Sequence, residues 1–151
     1  ESQSWVFGVV NGLYYLAALA GVLIFEALAS RRKIRSFLAI AATRAICGSL
    51  ILVLAAQKAP LPFAAFYLLM FAFNGAANVP ENTAFNAEAP EERRSSLLSL
   101  VSLLVQLGGV LGSLGFGALV GLIGIPWVWV AAGLGFAASS LLYLGASVKA
   151  H

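Results

Sequence analysis

The chain has 151 residues, is 61% hydrophobic and 10% charged, and carries a net charge of +3. A soluble domain carries roughly 25% charged residues, so the deficit puts this chain in the membrane class. The positive surplus falls mostly in the connections between apolar runs, where it speaks for orientation in a bilayer and against a nucleic-acid partner. One cysteine, Cys47, excludes an internal disulfide and reads as a small buried apolar residue.

Five apolar segments can be drawn, at about 5–28, 36–56, 61–84, 96–125 and 127–148. Each is near the ~20 residues a spanning helix needs, and none has the polar face of a soluble core helix. Leu and Ala dominate and apolar–polar alternation is absent, so sheets are not expected. The expected fold is all-α, a single polytopic membrane helix bundle. The chain begins with Glu1, and a fragment or a processed product is the expectation.

The first segment offers Asn11, Tyr14 and Tyr15. Asn11 and Tyr15 lie one helical turn apart on one face, a combination that suits an amphipathic or aromatic solute but also plain packing. Glu26 follows near the end of the segment, within reach of the basic residues Arg31, Arg32, Lys33 and Arg35 or of Arg44. Arg44, in the second segment, and Glu81, in the third, are the deepest charges. Counted at 1.5 Å per residue, each lies roughly 11–14 Å from the flanking basic loops. A lone charge at such depth costs at least ~2.5 kcal/mol, so the two are expected to pair. Glu81 is then either a proton-coupling carboxylate tuned by Arg44 or half of a fixed structural pair.

The third segment is the most polar. Asn74, Asn78, Asn82 and Asn86 fall four apart and form one stripe on a helix. Pro80 among them removes a backbone donor and is expected to kink the helix. Amides in lipid must face protein, water or solute, so Asn74 and Asn78 are candidates for the wall of a solute path or for bonds between helices. Asn82 and Asn86, nearer the mouth, are expected to cap or gate.

The fourth segment carries Gln106 and then Gly109, Ser113, Gly117 and Gly121, four apart. In lipid, such a stripe of small residues lets another helix approach closely, and helix packing is its expected role. Gly117→Leu is expected to disrupt the fold or assembly, and Gly124→Leu, at the helix end, to be milder. Trp127 and Trp129 are placed at the outer interface, and Pro60, Pro62 and Pro126 at segment starts, where a missing N–H costs little.

Basic loops stay cytoplasmic. Arg31–Arg35 and Arg93–Arg94 therefore put the first and third connections inside, and five spans bring the C-terminus inside too. The chain is expected to be an integral, multi-pass protein of the plasma (inner) membrane. Catalysis finds no support. The only histidine, His151, is terminal and no aspartate occurs, which leaves no base for a serine, no aspartyl pair and no metal cluster. No phosphate-binding glycine loop is present. Neither an enzyme nor a cofactor is expected.

Two features resemble the major facilitator superfamily. The first is Gly21-Val-Leu-Ile-Phe-Glu-Ala-Leu-Ala-Ser-Arg-Arg-Lys-Ile-Arg35. It is similar to that family's cytoplasmic motif of Gly, then Leu-Ala-Asp-Arg, then Gly-Arg-Arg. Gly21, Arg31 and Arg35 match, whereas Ser30 stands for the aspartate and Lys33 for the glycine. The second is Pro-Glu-Glu-Arg-Arg leading into a glycine-rich helix, which resembles the family's eleventh helix. The resemblance covers nearly the whole chain as helices eight to twelve of twelve, the C-terminal half without its first helix. It implies two halves that rock around a central site. It also implies that the first segment lines the cavity and that Arg44 sits on an outer, supporting helix.

The implied function is secondary active transport of a small solute by alternating access. Apolar and aromatic lining favours efflux, with a proton as the coupling ion. Asn11, Tyr15, Asn74, Asn78 and Gln106 would mark the solute path. Glu81, Arg44 and Glu26 would form the charge system, and Gly21, Arg31 and Arg35 the cytoplasmic gate. The expected partners are the solute, the lipid bilayer, and the missing N-terminal half or a second membrane chain. The alternative is a small membrane scaffold or assembly subunit that binds another membrane protein through the glycine stripe.

Overall fold

Backbone N–H and C=O groups have no water partners in hydrocarbon, so apolar runs of this length satisfy them internally as helices. The computed structural model describes residues 4–30 and 36–149. It contains α1 (Ser4–Ala29), α2 (Ser36–Ala56), α3 (Pro60–Glu88), α4 (Arg94–Ile123) and α5 (Ile125–Lys149), with a 3₁₀ turn at Glu91–Arg93. All five helices are long and apolar enough to cross a membrane. No strand occurs among the described residues.

The helix ends follow local chemistry. α3 runs to Glu88, four residues beyond the expected end, and stops where Pro90 forces Ala89 out of the helical region, at φ −80° and ψ 120°. α4 stops at Ile123 because Gly124 takes φ 81°, a region open chiefly to glycine, and closes the turn by donating its N–H to the Val120 carbonyl at 3.0 Å. α5 starts at once, with Pro126 in its first turn, where the absent donor is not missed. Gly124 is thus the residue that makes a one-residue connection between two spans possible. This corrects the expectation of a mild site there.

Contacts place the helices in a row, α1 against α3, α3 against α2 and α2 against α5. α2 is the best-covered element, with Ile40, Cys47 and Leu54 fully buried. Thr43 is buried too, its hydroxyl turned back to the Ala39 carbonyl at 2.9 Å. Cys47 packs its thiol 3.8 Å from the Met70 carbonyl and is free.

Two glycine crossings hold the row together. At α1–α3, a Cβ on Gly21 would collide with the Ala72 backbone, and one on Gly75 with the Ala18 backbone. At α2–α5, a Cβ on Gly48 would sit 2.8 Å from the Ala137 nitrogen, and one on Gly133 2.9 Å from Leu52 Cγ. Backbones this close collect many small dispersion contacts, which replace the hydrophobic effect as the source of adhesion in lipid.

α4 differs. Among the described residues it touches only α5 and the 3₁₀ turn to any extent, and none of its residues is buried. Gly109, Gly117 and Gly121 have open space where a Cβ would go, and Ser113 beside them is exposed. The expected close packing along this stripe is therefore not made within the described residues. The glycines that pack are the isolated ones on α1, α2, α3 and α5.

Candidate functional site

α3 presents two opposite stripes. Leu69, Ala72, Phe73 and Ala76 recur at helical spacing on one side, and Tyr67, Phe71, Asn74 and Asn78 on the other. The first side floors an apolar groove of about 450 Å³ walled by α1 and α2. The second side carries the polar chemistry.

On that second side the aromatic rings form a continuous string. Tyr14 of α1 lies 4.5 Å from Phe71, Phe71 lies 4.8 Å from Tyr67, and Tyr67 lies 6.0 Å from Phe63. Phe63 in turn meets Trp129 of α5 edge-on at 6.0 Å. Tyr15 leans on Tyr14, with ring centres 4.1 Å apart and planes tilted by 31°, and is itself exposed. The string ties α1, α3 and α5 on one face, with separations inside the range that favours aromatic pairs. Tyr14 and Tyr15 stand out in the sequence; Phe63, Tyr67 and Phe71 do not, and their i, i+4, i+8 spacing is the one signal that marks them.

Asn74 and Asn78 continue the stripe beyond Phe71. Asn74 is half-buried, and Asn78, Asn82 and Asn86 are exposed. None of these four amides makes a side-chain hydrogen bond to another described residue; Asn86 accepts only through its backbone carbonyl, from Arg94 Nη2 at 3.4 Å. An amide in hydrocarbon without a partner costs several kcal/mol, on the order of 2–7. Within a bilayer such amides call for a polar neighbour, which protein, water or solute can supply. The helix passes through Pro80 without a break.

Arg44 of α2 and Glu81 of α3 form an ion pair, Nη2 donating to Oε1. Their side chains are 23% and 28% exposed, so the pair sits at the edge of the α2–α3 contact and is not sealed within it. The Arg44 guanidinium also lies 5.3 Å from the centre of the Phe136 ring of α5, a cation–π contact that fixes it from a third helix. Phe136 carried no sequence signal for this, since a lone aromatic in an apolar span looks like any other packing residue.

The other predicted residues are scattered. Glu26 is exposed and makes no ion pair among the described residues. Gln106 lies on the exposed α4 and donates to Ser102 Oγ at 3.4 Å. Gly21 is at the α1–α3 crossing. Arg31 and Arg35 lie outside the described residues, as does the side chain of Asn11. No group of three His, Cys, Asp or Glu able to hold a metal ion occurs among the described residues.

A family model described as the Major Facilitator Superfamily matches residues 2–151. Among curated proteins and among solved structures, none matches the chain.

Proposed function

This chain belongs to the major facilitator superfamily, and on that premise we propose that it forms one wall of a solute path in a secondary transporter working by alternating access. Transport of a small-molecule solute across the lipid bilayer is the general function the family carries. The finer reading places the chain as helices eight to twelve, acting with an N-terminal half, with the basic connections and the C-terminus cytoplasmic in the plasma (inner) membrane.

One observation supports this most. The stripe Tyr67, Phe71, Asn74 and Asn78 joins aromatic surface to unpartnered amides on a single face of a spanning helix. Such a surface fits a solute with an apolar body and a few polar groups, which enters from the bilayer side of a cell and is expelled. Asn11, Tyr15 and Gln106 belong to the same proposed path. Glu81, held by Arg44, is the proposed proton-coupling carboxylate, with Glu26 an accessory charge. Gly21, Arg31 and Arg35 form the proposed gate.

The test uses cells producing the complete transporter and loaded with ethidium or the neutral dye Nile red. Asn74→Ala with Asn78→Ala should slow efflux about tenfold while membrane levels of folded protein hold. Glu81→Gln keeps an acceptor for Arg44 but not the charge, so it should cost less stability than Glu81→Leu and should abolish the response to a proton gradient in the molecules that fold. Unchanged efflux in the double alanine variant would remove these amides from the path. Unchanged coupling in Glu81→Gln would make the ion pair purely structural.

A second reading rests on α4. Its exposed stripe of Gly109, Ser113, Gly117 and Gly121 suits a helix from another membrane protein, and in that case the chain is a scaffold or assembly subunit. Cross-linking through a cysteine at Ser113 separates the cases. A link to an N-terminal half supports transport, and a link to an unrelated membrane protein supports the scaffold.

A further inference from the structure

Between α2, α3, α4 and α5, at the end of the bundle where the α3–α4 turn lies, is a pocket of about 340 Å³. This volume is within the range of small-molecule sites. Its lining differs from the apolar groove on α1–α3. It combines the rings of Phe37, Phe85 and Tyr143 with the polar groups of Glu81, Asn82 and Glu88. Leu98 and Val101 of α4 close the remaining side.

The charges in this lining do not cancel. Glu81 is matched by Arg44, and that bond takes up one of its oxygens, Oε1. Arg93 and Arg94, the next arginines along the chain, do not line the pocket, and Arg94 is turned to the Asn86 carbonyl. Glu88 makes no ion pair among the described residues, which leaves the lining one negative charge in excess. Its position adds to this. Glu88 is the last residue of α3, whose final turn holds no basic residue. A helix C-terminus carries partial negative charge and favours cations, so a carboxylate there is locally unfavourable. A bound cation offsets both the carboxylate and the helix end.

The rings specify what kind of cation. Aromatic faces attract a positive charge through their quadrupole, most when water is kept away. A compact, strongly hydrated metal ion would find too few oxygens here, whereas an organic ammonium or pyridinium with an apolar body meets rings, a carboxylate and the Asn82 amide together. We infer that this pocket binds a singly charged, amphipathic organic cation, with Glu88 as its counter-ion and Tyr143 and Phe85 as its ring walls. Asn82 supplies the hydrogen-bonding group. The inference depends on the transport reading only for what happens after binding, namely that the pocket loads a cationic solute.

The experiment measures binding alone, on the full chain in phosphatidylcholine nanodiscs, by equilibrium dialysis. The probe is 1-methyl-4-phenylpyridinium, a permanent cation. Biphenyl-4-carboxylate, with the same two-ring shape and opposite charge, is the control. The cation should bind saturably and the anion should not. Glu88→Gln, at an exposed helix end and so harmless to folding, should weaken cation binding about tenfold. Tyr143→Leu should weaken it several-fold, and Tyr143→Phe, which keeps the ring, should restore it.

Equal binding of the two probes, or cation binding indifferent to Glu88→Gln, overturns the inference. Preference for the anion also overturns it. Cation binding that survives alongside a failed efflux assay sinks the transport reading and leaves this site standing.

Discussion

α3 and α4 are both long, apolar and glycine-bearing, yet α3 is held on two sides while α4 is held along almost none of its length. In α3 a single glycine, Gly75, meets the Ala18 backbone, and Gly21 on α1 meets Ala72 in return. In α4 the regular run Gly109, Gly117 and Gly121 meets nothing among the described residues. A periodic stripe of small residues marks a face able to accept a helix; it does not say that the helix is in the same chain. An isolated glycine opposite an alanine makes just as close a contact, because two residues without bulk are enough to let two backbones touch.

The sharpest way to break this contrast is to fill the α1–α3 crossing. Gly75→Leu places a branched side chain against a backbone with nowhere to move. The cost should reach or exceed the upper end of the ~1–3 kcal/mol typical of overpacking. Loss of the monodisperse species in detergent gel filtration is the expected outcome. A variant that stays monodisperse at the wild-type melting temperature would show that α1 and α3 are not in backbone contact.

The difference between these two helices also shows what the residues could reveal beforehand. The five spans were legible because length and apolarity alone decide them. The pairing of Arg44 with Glu81 was legible because two charges at matching depth have few other ways to be solvated. The helix that packs against each glycine was not legible, since spacing along one helix carries no information about its neighbour. Nor was the pocket with Glu88, Phe85 and Tyr143, whose residues come from helices distant in sequence and at a helix end expected four residues earlier. Gly124 was misread for a related reason. Its importance lies in a backbone angle, which a search for side-chain patterns does not detect.

The ion pair gives the next largest effect, and it tests whether α2 and α3 are joined by charge as well as by packing. Arg44→Leu leaves Glu81 without its partner and removes the cation over Phe136. Leaving one charge of this partly exposed pair alone within the span costs on the order of 2–3 kcal/mol. Glu81→Leu alone should do similar harm. The double variant should recover part of the loss, because it leaves no unpaired charge behind. Thermal melts of all four proteins in one detergent measure the coupling. A strictly additive double variant would mean that each residue is stabilised by something other than its partner.

The smallest expected effect is the most informative about α4. Gly117→Leu in this chain alone fills open space, since no neighbour lies within 4 Å of a Cβ there. Leucine is also a better helix former than glycine by nearly ~1 kcal/mol. The melting temperature should therefore hold or rise slightly. Gly124→Ala, seven residues away and equally distant from any core, should instead lower it. At Gly124 the backbone has φ 81° and ψ 160°, and a side chain in that region costs on the order of 1–3 kcal/mol. The same Gly117→Leu change placed in the complete transporter should lose folded yield, because the stripe is then proposed to lie against another helix. Two outcomes would redraw α4. If Gly117→Leu destabilises the isolated chain, its stripe is already occupied there, by a second copy. If it is silent in the complete protein as well, the stripe faces lipid throughout, and its spacing is a property of the helix with no role in assembly.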